Sequence, residues 1–100
     1  MKMTGSKSQL TLALVARIPH EGVVDFQAYE ARVLPLIASH GGSLERRLRN
    51  SDGSVEIHIV SFPSDDSFAA FRADPERARA APLLQASGAR TELLTLQDVI

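Results

Sequence analysis

Four short stretches of this chain alternate apolar and polar residues with a period of two. Between them lie two stretches whose apolar residues recur at helical spacing. The resulting order, strand–helix–strand–strand–helix–strand, constrains the fold more than any other feature. The first strand is Leu10–Ile18, with Leu10, Leu12, Leu14, Ala16 and Ile18 on one face and Thr11, Ala13, Val15 and Arg17 on the other. Pro19-His20-Glu21-Gly22 ends it as a turn. Asp25 is placed to cap a helix beginning at Phe26, whose buried stripe is Phe26, Tyr29, Val33 and Ile37. Pro35 removes an amide donor inside this helix and should kink it, and Gly41-Gly42 should stop it.

Ser43–Arg49 and Val55–Phe62 alternate again around Asn50-Ser51-Asp52-Gly53, a hairpin turn signal. Ser64 is a cap for the second helix, and Asp65 and Asp66 suit the positive end of its dipole. Asp74-Pro75 reads as a cap followed by a first-turn proline, so this helix should break and restart. Pro82 should break it once more, Gly88 should end it, and Thr91–Leu96 is the last strand. Strand–helix–strand crossovers are right-handed, and two interleaved ones give a four-stranded antiparallel sheet of order 4-1-3-2 with both helices on one face. The expected class is α+β, a ferredoxin-like βαββαβ unit. The expected organisation is a frayed tail over residues 1–8 and one domain over 9–98.

The hairpin fixes which of its residues share a face. With an even-membered turn, Leu44 and Leu48 lie with Val55, Ile57 and Ile59, while Glu45, Arg47 and Arg49 lie with Glu56 and His58. If the apolar set meets the helices, the open face carries Glu45, Arg47, Arg49, Glu56 and His58 beside Ala13, Val15, Val60, Phe62, Leu94 and Leu96. Arg46 then falls between two leucines on the helix side and snorkels at the edge. That apolar set is too large to leave wet in a monomer, so a homodimer through the open face is expected.

With 100 residues one core is possible but modest, and self-association is a common supplement. A net charge of −1 leaves no basic field for nucleic acid or anionic lipid. Neither a nucleic acid nor a membrane is an expected partner. An RNA-binding sheet of this topology also needs aromatics on its open face, where Phe62 alone would qualify. No cysteine means no disulfide, thiolate metal site or thiol nucleophile, and the cytoplasm is the expected compartment. The N-terminal residues carry no signal-peptide core, and no apolar run approaches the roughly 20 residues of a membrane span. His20, His40 and His58 sit on three different elements without paired spacing, so no metal is expected. With no phosphate-cradling loop either, no haem, flavin or other cofactor is expected. No Gly-x-Ser-x-Gly elbow surrounds Ser39 or Ser43.

Two runs, FQAYEARVLPLIASHGG over Phe26–Gly42 and IVSFPSDDSFAAFRADPE over Ile59–Glu76, resemble the dimeric α+β barrel superfamily. The nearest resemblance is to a bacterial family of uncharacterised function related to antibiotic-biosynthesis monooxygenases. It rests on a tyrosine-bearing first helix running into a glycine pair, a third strand ending in Phe62-Pro63-Ser64, and a broken, aromatic-rich second helix. The resemblance spans residues 10–97. It implies a homodimer, and a small-molecule site between sheet and helices or inside the dimer barrel. It leaves three classes of function open: a protein binding a small apolar or aromatic molecule, a cofactor-free monooxygenase or isomerase, and an interaction or regulatory module without a ligand.

Candidate residues follow from chemistry. His58 suits a general acid/base, or equally an interfacial hydrogen bond across a dimer. His40, before the glycine pair, either points into a pocket or caps a helix end. Tyr29, the only tyrosine, either orients a ligand or packs with its hydroxyl at the rim. Catalytic candidates are therefore His58, His40 and Tyr29. A ligand wall would combine Arg47, Arg49, Glu56 and His58 with Val60 and Phe62. The alternative is that Arg47 or Arg49 merely neutralises Glu56 across the hairpin. An enclosed pocket holding His58 or His40 with Tyr29 and an arginine would favour the two classes that need a ligand.

Overall fold

A computed structural model describes residues 9–100, and the tail expected over residues 1–8 lies outside them. Strand β1 (Leu10–Arg17) leads through a short 3-10 turn (His20–Gly22) into helix α1 (Val23–Val33) and helix α2 (Pro35–Ser39). Strands β2 (Ser43–Arg49) and β3 (Val55–Phe62) form the hairpin. Helices α3 (Asp65–Arg72) and α4 (Pro75–Ser87) then lead to β4 (Arg90–Leu96). The sheet order is β2-β3-β1-β4, all antiparallel, which is the expected 4-1-3-2 arrangement. The chain is an α+β, ferredoxin-like unit.

Local chemistry explains most boundaries. The Asn50 side chain closes the hairpin by donating to Ser54 Oγ and accepting the Val55 N–H, with Gly53 at a positive φ of 78°. Ser64 Oγ accepts the Ser67 N–H at 3.1 Å, and Asp74 accepts the Glu76 N–H at 2.8 Å. Gly88 ends α4 in the left-handed conformation. Two helical expectations are corrected. The first helix begins at Val23 rather than Phe26, so Asp25 sits in its first turn and caps nothing. Pro82 lies inside α4 without breaking it, because α4 packs along α1 and tertiary contact outweighs one lost hydrogen bond.

The larger correction concerns the faces of the sheet. In β1 and β3, Leu10 lies opposite Phe62, Leu12 opposite Val60, Leu14 opposite His58 and Ala16 opposite Glu56. Directly opposed residues share a face. Leu12, Val60 and Phe62 are buried against Tyr29, Val33, Ile37 and Phe71. The helices therefore cover Glu56, His58, Val60 and Phe62. Arg47 and Arg49, opposite His58 and Glu56, share that face but keep their side chains partly in solvent. The open face instead carries Ala13, Val15, Leu48, Ile57, Ile59, Leu94 and Leu96.

An irregularity between Leu44 and Arg46 shifts the register of β2 by one residue. Leu44 consequently lies opposite Val60 on the helix side, and Arg46 lies opposite Ile59 on the open side. Glu45 leaves the expected charged set and accepts from Ser61 Oγ at 2.7 Å.

Gly22 is buried where the 3-10 turn meets the end of α4. A Cβ there would overlap the carbonyl oxygen, carbonyl carbon and Cα of Ser87, all backbone atoms that cannot swing aside. Gly22→Ala should therefore destabilise the fold by at least the roughly 1–3 kcal/mol of core overpacking, read as a drop in the urea midpoint at unchanged m-value.

Candidate functional site

Between the sheet and the helices lies a cavity of about 180 Å³. An engineered protein cavity of roughly 150 Å³ holds benzene, so the space suits about one aromatic ring with short substituents. Its wall is mainly apolar, contributed by the sheet (Leu12, Leu14, Val60, Leu93), by α1 and α2 (Val33, Ile37) and by Phe68 and Phe71 of α3. Polar groups enter at two places. Glu30 and His58 stand in the wall, and Tyr29, Arg72 and Arg77 lie together where α1 meets α3 and α4.

Glu30 was not among the residues expected at a site, although the sequence carries a signal for it. It falls four residues after Phe26 and three before Val33, inside the helical stripe that meets the core. It is 2% exposed, Glu56 likewise 2% and His58 3%. Three such groups buried together must compensate one another, and the hydrogen bonding shows how. His58 Nε2 lies 2.9 Å from Glu30 Oε2 and 3.0 Å from Glu56 Oε2. Arg47 spans both carboxylates, Nη2 to Glu30 Oε1 at 3.0 Å and Nε to Glu56 Oε2 at 2.9 Å. Arg49 Nε donates to the remaining Glu56 oxygen at 2.9 Å.

Burial alone would raise the Glu56 carboxyl. Its bonding to Glu30, His58, Arg49 and Arg47 outweighs that and holds it well below the usual carboxylate range. Burial pushes the Glu30 carboxyl up; bonding to His58 opposes the rise and Glu56 adds to it. Burial alone would lower the His58 imidazolium, but bonding to Glu30 and Glu56 wins and raises it. Two guanidiniums already balance two carboxylates. The titratable excess is thus a proton held between His58 and Glu30, both in the cavity wall.

Donor atoms of Glu30, Glu56 and His58 lie within 4.8 Å of one another, a spacing that a metal ion could use. Here those atoms are engaged with each other and with Arg47 and Arg49. A dication would have to displace a guanidinium or leave an unbalanced buried charge. The donor set is built first as a hydrogen-bonded charge network.

The other candidates separate. Tyr29 lines the cavity, and its hydroxyl receives Arg77 Nη2 at a long 3.4 Å. His40 does not join His58. Its Nε2 meets Asp74 Oδ2 at 2.7 Å, tying the end of α2 to the cap of α4, which makes it a structural clamp. His20 is exposed in the 3-10 turn. Of the six residues expected to form a ligand wall, His58, Val60 and Phe62 line the cavity. Glu56 is outside the lining and holds His58, and Arg47 and Arg49 in turn hold Glu56. Sequence reasoning also passed over Arg72 and Arg77, for which no local pattern gives a signal.

No family model matches the chain, and no curated protein matches it. Solved structures do. A Bacteroides thetaiotaomicron protein provisionally assigned to the antibiotic-biosynthesis monooxygenases superposes with a TM-score of 0.81 at 12% identity, covering 96% of this chain and 94% of that one. SnoaB, a cofactor-independent oxygenase from Streptomyces nogalater, superposes in a mutant form with a TM-score of 0.70 at 21% identity, covering 93% and 97%. Rv0793 from Mycobacterium tuberculosis gives 0.69 at 15% identity, covering 91% and 97%. The chain has the fold of these proteins. At such identities the likeness concerns the ferredoxin-like scaffold, in agreement with the resemblance carried by the sequence. Among the described residues, no helix is long and apolar enough to cross a membrane.

Two outcomes test the network. Glu56→Gln leaves Arg47 and Arg49 under-paired and should cost about 2–4 kcal/mol. That lies a little below the loss for a fully buried pair, because both guanidiniums reach solvent. The His58 contribution is fully present below its ordinary pKa of 6.5 and is lost as pH rises through its raised folded value. Glu30, also raised, loses its contribution as pH rises above 4.5 through its raised folded value, whereas Glu56, lowered, withdraws its contribution only on acidification below about 4.5. Urea unfolding from pH 6 to 9 should therefore show the stability gap between wild type and His58→Gln narrowing as pH rises.

Proposed function

We propose that this protein binds a small apolar or aromatic molecule in the cavity between sheet and helices, and that it does so as a homodimer. The observation that carries the first part is the composition of the cavity. A mainly apolar wall holds His58, Glu30, Tyr29 and two arginines, the combination of apolar lining with a few convergent polar groups that ligand sites use. A module working only through its surface has no need of a buried charge cluster facing an internal space.

The dimer rests on the open sheet face. Leu48, Leu94 and Leu96 are each about 40% exposed there, and Val15, Ile57 and Ile59 lie between them. Arg17, Arg46 and Glu92 edge the same face, a polar rim around an apolar centre. Two such faces packed together would bury a patch that a monomer leaves wet. A cytoplasmic location belongs to the same proposal, on the ground that the chain uses no cysteine.

A second reading, a cofactor-free oxygenase or isomerase, is favoured by one observation. The raised Glu30 carboxyl and the His58 imidazolium share a proton in the cavity wall. A pair in which burial raises the carboxyl and bonding to the carboxylates raises the imidazolium suits the removal of a proton from an activated C–H or O–H of a bound phenol or enol. The proton would pass to the Glu30–His58 pair and leave the electron pair on the substrate.

Binding is tested by NMR titration of the whole chain with methyl- and hydroxy-substituted benzenes. Shifts should cluster at Val33, Val60 and Phe71, and Val33→Phe, which fills the cavity, should abolish them while the protein stays folded. Shifts scattered over the outer surface would overturn the reading. For the dimer, light scattering at micromolar concentration should give twice the chain mass, and Ile59→Asp should give a folded monomer. For the enzyme reading, His58→Ala should keep fold and dimer while turnover is lost. A lower melting temperature is expected from the lost network bonds in either case, and turnover that survives in the folded variant would make His58 structural.

A further inference from the structure

Where α1 meets α3 and α4, the cavity has two arginines that the charge network does not use. The Arg77 guanidinium carbon lies 5.2 Å from the centre of the Phe71 ring, and that of Arg72 lies 5.5 Å from the centre of Phe68. Both rings and both arginines line the cavity. Arg77 Nη1 donates to the Arg72 carbonyl at 3.2 Å and Nη2 reaches the Tyr29 hydroxyl at 3.4 Å. Its Nε is buried and has no acceptor at all. Leaving a buried donor unmade costs free energy, more when the donor is charged.

The neighbouring acids are already committed. Asp74 is held by His40 and by the N–H of Glu76. Glu76 pairs with Arg79 at 2.7 Å and with Arg32 at 3.8 Å. Among the described residues, no carboxylate pairs with Arg72 or Arg77. This end of the cavity therefore combines two positive charges, one orphaned donor and a phenol, while the Glu30 carboxyl stands elsewhere in the same wall.

From this asymmetry we infer that the ligand is an amphipathic monoanion: an aromatic carboxylate whose acidic group seats on Arg77 and Tyr29 and whose ring fills the cavity. A guanidinium presents its donors as a planar fork that matches a carboxylate. One carboxylate oxygen would take the free Nε–H of Arg77, and the other would take Nη2 and the Tyr29 hydroxyl. Arg72 adds long-range attraction from an exposed position. The orientation follows, because the donors beside Glu30 are already taken up by the carboxylates of the charge network, whereas Arg77 keeps one free. The charged end therefore lies at Arg77, and the ring is presented to the Glu30–His58 pair. This inference rests on the proposed small-molecule reading and narrows it to one chemical class.

The test compares 4-methylbenzoate with its neutral isostere 4-methylbenzamide by calorimetry and NMR on the full chain. Wild type should bind the benzoate at least tenfold more tightly than the amide, and the preference should shrink as salt is raised. Arg77→Met should abolish the preference while changing amide affinity less than threefold, and Arg77→Lys should restore part of it. If Arg77→Met fails to fold, Tyr29→Phe provides a milder probe and should lower benzoate affinity alone. Equal affinity of wild type for the two probes overturns the anionic assignment and leaves the small-molecule reading standing. Binding of neither probe overturns both. An unchanged preference in the folded Arg77→Met variant overturns the role of Arg77.

Discussion

The Glu56 carboxylate, buried under α1 at the centre of the sheet, is the constraint around which the rest of the structure is arranged. A lone carboxylate there would be intolerably expensive, so its surroundings are dictated. Arg47 and Arg49 must come from β2 on the same face, His58 must be two residues on, and α1 must present Glu30. The side chains tie three elements together: the hairpin register brings the arginines alongside, and Arg47 reaches from sheet to helix through Glu30. Directional hydrogen bonds specify that arrangement more narrowly than apolar packing alone could, and they also place a proton-holding pair beside an apolar space.

Much of this was legible in the sequence, for identifiable reasons. Strands β2 and β3 were found to the residue because Asn50-Ser51-Asp52-Gly53 marks the turn and period-two alternation marks each side. Arg47, Arg49, Glu56 and His58 were grouped on one face because a hairpin fixes relative phase. Which face meets the helices was not legible. Both faces of β3 are mixed, and the phase between β1 and β3 depends on a crossover whose length carries no register signal. A one-residue slip inverts every side chain. The general expectation that the more apolar face is covered then prevailed, and it fails wherever a buried charge is fully matched. Matching required Glu30, which an inspection of apolar positions alone passes over even though it lies in the buried stripe.

The helices show a similar division. Caps written in side chains, Ser64 and Asp74, were readable, as was the glycine stop at Gly88. The start at Val23 was not, because it is set by a 3-10 turn wedged against the end of α4 through Gly22, a tertiary fact. Pro82 illustrates the same limit: a local rule predicts a break, and packing of α4 along α1 overrides it. Arg72 and Arg77 are the extreme case, since two arginines near a helix boundary become a feature only when Phe68, Phe71 and Tyr29 arrive beside them.

The register shift between Leu44 and Arg46 lets one strand serve two chemistries. On one side of it β2 turns Leu44 toward the helix side, at the exposed edge of the sheet; beyond it the same face receives Arg47 and Arg49, while Arg46 and Leu48 are turned outward. An unbroken alternation could not send both Leu44 and Arg47 inward, because they are an odd number of residues apart. The irregularity thus works as a phase inverter. Loss of the single extra residue in this run would let an unbroken alternation keep the leucine and the arginines on one side of the sheet, whereas loss of Leu48 would set Arg47 and Arg49 on opposite sides. A one-residue deletion should therefore be far better tolerated at Glu45 than at Leu48.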